Sequence, residues 1–364
     1  MQPRIITIAK ATDQHPRQSE SAMFERADGS LVIAWQEYVA SQLGGGDDAP
    51  NRLVFMVSRD GGLTWGEHRV LVVPGADEIS VYSPSFVRLP GGDLLLLYFH
   101  YNEIETGKLP RTSGYVRRST DDGATWSDRT AAWINQTLGG ASGVVKRMSN
   151  GRLIWPLSRQ IGLLWTDDDR CGCCVLISDD DGRTWRETEK LIELPLRGTM
   201  EPHIEQLTDS RIMMVMRTQL GCVFESISAD EGETWSSAQP TALIAPESCP
   251  ELVRIPTTGD LCLIFNGSAY EAAWSGKQKI GTHYGKRTPL TAVISTDEGR
   301  TWSHRRDIAT DPGRCHSNPV AFFTSTGNAI VTWFACPYTA DWRLDVRLVD
   351  LDAAVMPITW FYGQ

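Results

Sequence analysis

The sequence has no apolar run long enough to span a membrane, and its opening residues, Met1 to Ile8, contain no hydrophobic leader. We therefore expect a cytoplasmic protein with no membrane partner. Positive charge is also in deficit, since 35 Lys and Arg against 45 Asp and Glu give a formal net charge of −10. This balance disfavours nucleic acid as a partner, although an acidic chain can still carry a basic pocket.

Cysteine is sparse as well, with eight residues scattered over 364 positions. They form no disulfide framework of the kind that holds small secreted domains together, so we expect reduced thiols. The one cluster, Cys171-Gly172-Cys173-Cys174, has no second Cys or His pair at the spacing of a zinc site. The sequence therefore predicts buried thiols in a strand, with no metal site and no cofactor.

What the chain does have is a repeat. The pattern Ser-x-Asp-x-Gly-x-Thr-Trp occurs five times, and its successive starts lie 61, 59, 50 and 67 residues apart. The copies begin at Ser58, Ser119, Ser178, Ser228 and Ser295. Asp and Gly at these positions favour a tight hairpin turn, and the spacing is near the length of a four-stranded β unit.

A second repeat places a turn and a hydrophobic strand ahead of each motif. Its six copies follow Gly29, Gly92, Gly151, Ser210, Gly259 and Gly327. Each unit is predicted to run strand one, turn, strand two, variable loop, strand three, motif, strand four. The sixth unit lacks the motif, and we predict its third strand at 344–349. Residues 5–9 are predicted to close the ring by pairing with this last unit.

The repeated motif resembles the Asp-box, or bacterial neuraminidase repeat, of the sialidase superfamily. That resemblance implies an all-β fold, a six-bladed β-propeller with five Asp-boxes. We expect one domain that covers residues 1–364. The Asp-box residues themselves are expected to fasten turns and to take no part in chemistry.

Arginines gather on the face opposite the motifs. Because the strands alternate in direction, the start of strand one, the end of strand two and the start of strand three share that face. Six arginines fall there, namely Arg17, Arg111, Arg159, Arg170, Arg217 and Arg287. Guanidinium groups bind carboxylates through paired hydrogen bonds, so this arrangement predicts an acidic ligand. The alternative is that an arginine pairs with a local Asp or Glu, above all Arg111, Arg159 and Arg170.

The resemblance assigns roles to some of these residues. Sialidases hold the substrate carboxylate with three arginines, and the matching positions here are Arg17, Arg217 and Arg287. The stretch from Glu201 to Arg217 resembles the family's Glu-x5-Glu-Leu-x-Asp-Gly-x-Leu-x4-Arg stretch, although Ser210 replaces its Gly. It implies that Glu201 is the partner of the nucleophile.

The family's acid/base Asp lies in the first blade's loop between strands two and three. Asp47 and Asp48 are the carboxylates there.

The family's nucleophile is missing from its expected place. Sialidases use a neutral Tyr–Glu pair, because an anionic nucleophile would repel the substrate carboxylate. His316 stands where the Tyr is expected, and we predict it at the floor of the arginine pocket with a lowered pKa. The tyrosines that remain as candidates are Tyr82, Tyr270, Tyr284 and Tyr338.

Three functions are consistent with this sequence. The first is a sialidase-like exo-glycosidase that hydrolyses a terminal acidic sugar, sialic acid or a relative, with Arg111, Arg159 and His203 as further binding residues. The second is a uronate-polysaccharide lyase or another glycosidase, in which His316 or His203 acts as base and a Tyr as acid. The third is a non-catalytic glycan-binding propeller. Each predicts an acidic carbohydrate partner and no particular oligomeric state.

Overall fold

The described residues fold as a six-bladed β-propeller. The computed structural model describes residues 2–268, 286–339 and 344–363, and its strands form six antiparallel sheets, one for each blade. The all-β fold predicted from the repeats is confirmed. No helix in the described ranges is both long and apolar enough to cross a membrane.

The strands are numbered along the chain, which opens with β1 (Arg4–Ala9). Blade one contains β2 (Gln18–Glu25), β3 (Leu31–Tyr38), β4 (Asn51–Ser58) and β5 (Gly66–Val72). Blade two contains β6 (Ser80–Arg88), β7 (Leu94–Glu103), β8 (Arg111–Ser119) and β9 (Thr130–Gln136). Blade three contains β10 (Leu138–Gly139), β11 (Lys146–Arg147), β12 (Leu153–Gln160), β13 (Cys171–Ser178) and β14 (Arg186–Glu187).

Blade four contains β15 (Met200–Gln206), β16 (Ile212–Arg217), β17 (Cys222–Ser228) and β18 (Gln239–Ile244). Blade five contains β19 (Glu251–Arg254), β20 (Leu261–Asn266), β21 (Leu290–Ser295) and β22 (Ser303–Ala309). Blade six contains β23 (Arg314–Phe323), β24 (Asn328–Pro337) and β25 (Asp350–Pro357), and a 3-10 turn follows at Ile358–Tyr362.

The ring closes through the first strand of the chain. β1 pairs antiparallel with β25 as the outermost strand of blade six, so the predicted closure by residues 5–9 is confirmed. The predicted third strand of this blade was wrong, because β25 begins at Asp350 and residues 344–349 form a turn held by isolated bridges. The alternating residues of 344–349 resemble a strand, but Leu348 is 50% exposed while Leu351 is buried in the core.

Large aromatic side chains fill the space between neighbouring blades. Trp35, Trp155 and Trp333 lie on the second strands of blades one, three and six, and all are fully buried. Trp155 meets Trp133 of blade two edge to face at 4.8 Å between ring centroids. Such buried aromatic contacts hold the blades together as a rigid support for the loops above them.

The repeated motif forms the same hydrogen-bonded turn at each of its five sites. In the first, Ser58 Oγ donates to Asp60 Oδ1 at 2.9 Å and accepts from Gly62 N at 2.9 Å, and Thr64 Oγ1 donates to Asp60 Oδ2 at 2.7 Å. The other four turns repeat these bonds. Gly62 adopts φ +92°, which glycine tolerates best.

These turns carry a testable pH dependence. The hydrogen bonds from Thr64 lower the pKa of Asp60 to about 2, so its stabilising effect is full above its ordinary pKa and is lost as the pH falls from about 4 towards about 2. We expect Asp60→Asn to be less stable than the wild type at pH 7 and to lose less stability over that acidic range. Acid unfolding followed by circular dichroism measures this. Asp13→Asn, at an exposed site outside the repeats, is the control and should unfold like the wild type.

Candidate functional site

A central cleft of about 790 Å³ opens on the face opposite the Asp-box turns. Its lining comes from the starts of the first strands, the ends of the second strands and the loops beyond them. This is the set of positions that the alternating strand directions place at one end of every blade. The cleft therefore lies where the sequence predicted the acidic ligand.

The floor of the cleft is built from bulges in the innermost strands. In five blades one residue in the innermost strand, or just ahead of it in blade three, adopts a left-handed backbone with φ between 47° and 70°. These residues are Glu20, Ser83, Gly143, Glu201 and Asn318. The strand register shifts at these points in β2, β6, β15 and β23. A bulge of this kind turns a side chain away from the sheet, and the four non-glycine residues all line the cleft.

The three arginines assigned by resemblance line this one cleft. Arg17 is buried, and its Nη1 donates to Asp47 Oδ1 at 2.7 Å and to the Gly45 carbonyl at 3.0 Å. Its guanidinium carbon lies 4.8 Å from the ring centroid of Tyr38 and 5.3 Å from that of Phe334. Arg17 is thus fixed in place before any ligand binds.

Arg217 belongs to a buried network of opposite charges. It bonds Glu201 at 2.8 Å and Glu247 at 3.1 Å. The Glu247 side chain is fully buried, and it also accepts from Gln219 at 2.7 Å and pairs with Arg197. Because Glu247 bridges two arginines, it sets the spacing between their guanidinium groups.

Arg197 is a cleft residue that the sequence prediction missed. It lies three residues ahead of β15, lines the cleft and pairs with Asp169 at 2.9 Å as well as with Glu247. Arg17 stands just ahead of β2 in the same way. A search for arginines just ahead of each first strand would have found Arg197 in blade four.

Arg287 differs from the other cleft arginines. It is 6% exposed, and its Nη1 donates to Ser317 Oγ at 3.2 Å. Its backbone N–H donates to the Tyr338 hydroxyl at 2.8 Å. Within the described ranges it forms no ion pair. A buried cation that no described carboxylate contacts favours an anionic ligand.

Glu20 is a second residue that the prediction left out of the site. Its carboxylate accepts from Asn318 Nδ2 at 2.6 Å and from Ser142 Oγ at 3.3 Å. Burial raises its pKa to about 7, and the charge of Glu201 adds to this shift. The signal was present, because Glu20 and Glu201 both lie near the start of a first strand.

Several predicted residues do not reach the cleft. Asp48 is half-buried beside Asp47 and is not among the lining residues. Arg159 pairs with Glu187 and Arg170 with Asp168, while Arg111 is exposed near Glu103. For these three arginines the alternative of local pairing holds, and the correction is that nearby carboxylates outside the cleft lining pair with them.

The two histidines also lie outside the cleft lining. His203 is buried, with Nδ1 at 2.6 Å from Glu251 Oε2 and the other nitrogen at 3.5 Å from Cys249 Sγ. It is a core residue on β15.

The structure corrects the predicted place of His316. Its ring is buried edge-on against Trp333, and its backbone N–H donates to the Arg287 carbonyl at 2.8 Å. The bulge between Ser317 and Val320 brings Asn318 into the cleft in its place. Burial lowers the pKa of His316 to about 4, so the predicted direction is right, but the main cause is burial and not the arginines.

The described tyrosines do not complete a Tyr–Glu pair. Tyr82 lines the cleft, but its hydroxyl donates to the Asp47 carbonyl at 2.6 Å. Tyr338 holds the backbone of Arg287. In the part of the chain that the structure describes, no tyrosine hydroxyl is hydrogen-bonded to Glu201. Tyr270 and Tyr284 lie outside the described residues.

One wall of the cleft is apolar. It includes Phe99, Tyr101, Leu164 and Trp165, and Trp165 is 42% exposed. Phe99 and Tyr101 lie on β7, and Leu164 lies in the loop after β12. Backbone hydrogen bonds of 2.9 and 3.0 Å link Leu164 to residues 107 and 108 in the loop after β7. The cleft therefore offers an aromatic surface as well as charged groups.

The acidic side chains and the Cys171 thiol of the cleft raise the question of a metal site. Among residues 2–268, 286–339 and 344–363, no group of three His, Cys, Asp or Glu side chains is arranged to hold a metal ion.

Comparisons with known proteins agree with this architecture. The sequence model of the BNR repeat-like domain matches residues 29–345. An anhydrosialidase from Macrobdella decora is 30% identical over 146 residues, which cover 36% of this chain and 18% of that protein. A sialidase from Micromonospora viridifaciens is 24% identical over 307 residues, which cover 76% of this chain and 43% of that protein. The matches thus span less than half the length of either curated relative.

Among solved structures, the leech intramolecular trans-sialidase complexed with 2,7-anhydro-Neu5Ac superimposes with a TM-score of 0.71 at 15% identity. The superposition covers 97% of this chain and 70% of that one. At this identity the likeness concerns the fold.

Proposed function

Because the chain belongs to the BNR repeat-like domain family, we propose that it is a sialidase-type glycoside hydrolase that removes a terminal acidic sugar from glycans. In this proposal Arg17, Arg217 and Arg287 bind the sugar carboxylate. Sialidase relatives and sialidase-like structures support this assignment at the level of the family.

The observation that carries the proposal is the unpaired positive charge of Arg287. Burying a cation is costly, and an ion pair offsets most of that cost for Arg17 and Arg217. Among the described side chains, the Ser317 hydroxyl is the only hydrogen-bond partner of the Arg287 guanidinium. A carboxylate that enters the cleft would supply the missing counter-charge through charge-assisted hydrogen bonds.

Binding of that carboxylate also prepares a proton donor. Asp47 is paired with Arg17, and its side chain is 55% exposed at the rim of the cleft. A substrate carboxylate that bonds Arg17 competes with Asp47 and releases it. The released carboxyl can then carry a proton to the oxygen of the leaving group.

The apolar wall suits the leaving group. Trp165 and Tyr101 present aromatic faces on which the C–H face of a neutral sugar can rest. The proposed substrate therefore joins an acidic terminal sugar to a neutral one.

The geometry favours hydrolysis over the lyase alternative in its form with His203 or His316 as base. Both of these histidines are buried and lie outside the lining of the cleft. A non-catalytic glycan-binding role keeps the same arginines, and it is distinguished by the absence of turnover.

The proposal is tested with a panel of sialylated and uronate-containing glycans. We expect release of an acidic monosaccharide without new ultraviolet absorbance, and calorimetry should show that the free acidic sugar binds more tightly than its neutral amide. An ultraviolet-absorbing product would indicate a lyase instead. Binding without turnover would indicate a lectin-like propeller, and failure to bind any acidic sugar would overturn the proposal.

A further inference from the structure

Glu20 sits at the floor of the cleft and is only 7% exposed. Its two carboxylate oxygens accept from neutral donors, Asn318 Nδ2 at 2.6 Å and Ser142 Oγ at 3.3 Å. These donors come from blade six and from the connection that precedes β11 in blade three. The carboxylate is thus clamped near the centre of the ring by two other blades.

Glu20 differs from the other described carboxylates of the cleft. Asp47 pairs with Arg17, Asp169 with Arg197, and Glu201 with Arg217. Within the described residues Glu20 has no such ion pair. Neutral hydrogen-bond donors, and not a paired cation, therefore hold its carboxylate.

The surroundings of Glu20 favour its protonated form. Burial is the largest cause of its raised pKa, and the negative charge of Glu201 acts in the same direction, while Arg17 and the two hydrogen bonds act against them. The titratable or charged groups that interact with it are Arg17, Tyr38, Glu201 and Cys249. A carboxyl that gains and loses a proton near neutral pH is suited to proton transfer at that pH.

We propose that Glu20 is the general base that activates water in the cleft, a role that rests on the hydrolysis proposed above. The water oxygen forms a bond to the anomeric carbon of the acidic sugar while its proton moves to the Glu20 carboxylate. The bond from that carbon to the leaving oxygen breaks, and this oxygen takes a proton from Asp47, which takes up that proton from solvent when the substrate carboxylate displaces it from Arg17. Both carboxyl groups return to their starting state by exchange with solvent.

This route needs no tyrosine nucleophile, and it predicts the stereochemistry of the product. A single displacement by water inverts the anomeric centre, whereas a covalent glycosyl-enzyme intermediate would retain it. Proton NMR of the first product formed by the wild type should therefore show the inverted anomer. A retained anomer would overturn the role of Glu20 as the base for water.

The direct test is Glu20→Gln, which keeps the size of the side chain and removes its basicity. We expect kcat to fall by about 10²- to 10⁴-fold, while the Kd of the free acidic sugar changes by less than about threefold, because the arginines that bind it remain. The rise of kcat with pH through about 7 should be present in the wild type and absent in the variant. A variant that keeps more than about a third of kcat, or keeps the rise, contradicts the proposal.

Glu225→Gln is the matched control. Burial also raises the pKa of Glu225, but this residue lies on β17 outside the cleft, so kcat and its pH profile should be unchanged. If Glu225→Gln also lost the rise of kcat with pH, the loss of this rise in Glu20→Gln would not be specific to Glu20.

Thermal unfolding provides a readout that needs no substrate. The raised pKa stabilises the folded state below the ordinary pKa of Glu, and this stability is lost as the pH rises through about 7. Glu20→Gln should therefore unfold at a higher temperature than the wild type above pH 7, and this advantage should shrink as the pH falls. A difference in Tm that does not vary with pH would contradict the buried, titrating carboxyl.

Failure of the two proposals can be told apart. If the wild type neither binds nor cleaves any acidic sugar, the proposed function fails. If it cleaves one and Glu20→Gln cleaves it equally well, the function stands and the role of Glu20 falls.

Discussion

Arg287→Ala is expected to lower kcat/KM for the acidic sugar substrate by about 10²- to 10³-fold, which corresponds to about 3 to 4 kcal/mol. Arg287 is buried at the cleft without an ion pair to any described residue, so its interaction with a substrate carboxylate is charge-assisted and shielded from water. The neutral amide of the same substrate should lose less than about tenfold, because its carbonyl oxygen accepts only an ordinary hydrogen bond.

Two further variants sharpen this prediction. Arg287→Lys keeps the charge but loses the planar fork, so its kcat/KM should lie between those of the wild type and Arg287→Ala. Arg111→Ala, at an exposed site outside the cleft, should leave kcat/KM unchanged. Equal losses on the acid and on its amide would show that Arg287 does not contact the carboxylate.

Glu247→Gln is expected to lower the free energy of unfolding by about 3 kcal/mol, because it removes one partner of a buried ion pair. Glu247 is fully buried, and it pairs with both Arg197 and Arg217. Urea unfolding at pH 7 measures the loss. By comparison, Glu187→Gln breaks a half-exposed pair with Arg159 and should cost less than about 1 kcal/mol.

The pH dependence of this loss has a defined sign. Burial raises the pKa of Glu247, but Arg217 and Arg197 outweigh it and hold the pKa below the ordinary value. The carboxylate therefore stabilises the fold above the ordinary pKa of Glu, and its contribution disappears as the pH falls below that range. The gap between the wild type and Glu247→Gln should close on acidification, and a gap that stays constant would contradict the ion-pair explanation.

Local chemistry made most of the fold predictable. Each Asp-box turn is determined within eight residues, and the five copies separate the strands around them. The predicted resemblance to the BNR-repeat sialidase superfamily is confirmed. The prediction failed in blade six, where no motif follows the third strand and the alternating residues of 344–349 imitate one.

From the sequence, strand direction predicts which end of each strand faces the cleft, but it does not predict which side chains enter the cleft. Strand direction placed six arginines on this face, and the family resemblance selected the three that line the cleft, Arg17, Arg217 and Arg287. Which side chain of a strand enters the cleft depends on the bulge, and a bulge follows from pairing with the next strand. For this reason His316 was predicted at the floor where Asn318 lies.

Ion pairs formed in the folded chain also decide which arginines remain available to bind a ligand. Arg159 on β12 meets Glu187 on β14, a partner 28 positions further along the chain. Arg170 meets Asp168 only two positions away. Neither distance along the sequence distinguishes these residues from Arg287, whose lack of a described partner is a property of the folded chain.

The left-handed residues on the floor have a consequence for how the cleft can change by mutation. Each lies outside the regular ladder of its strand, so a mutation there alters the cleft without altering the pairing that holds the blade together. This chain already carries Glu, Ser, Glu and Asn at four of these positions. A substitution at one of these bulges can therefore change the chemistry of the cleft while the strand pairing of the blade is kept.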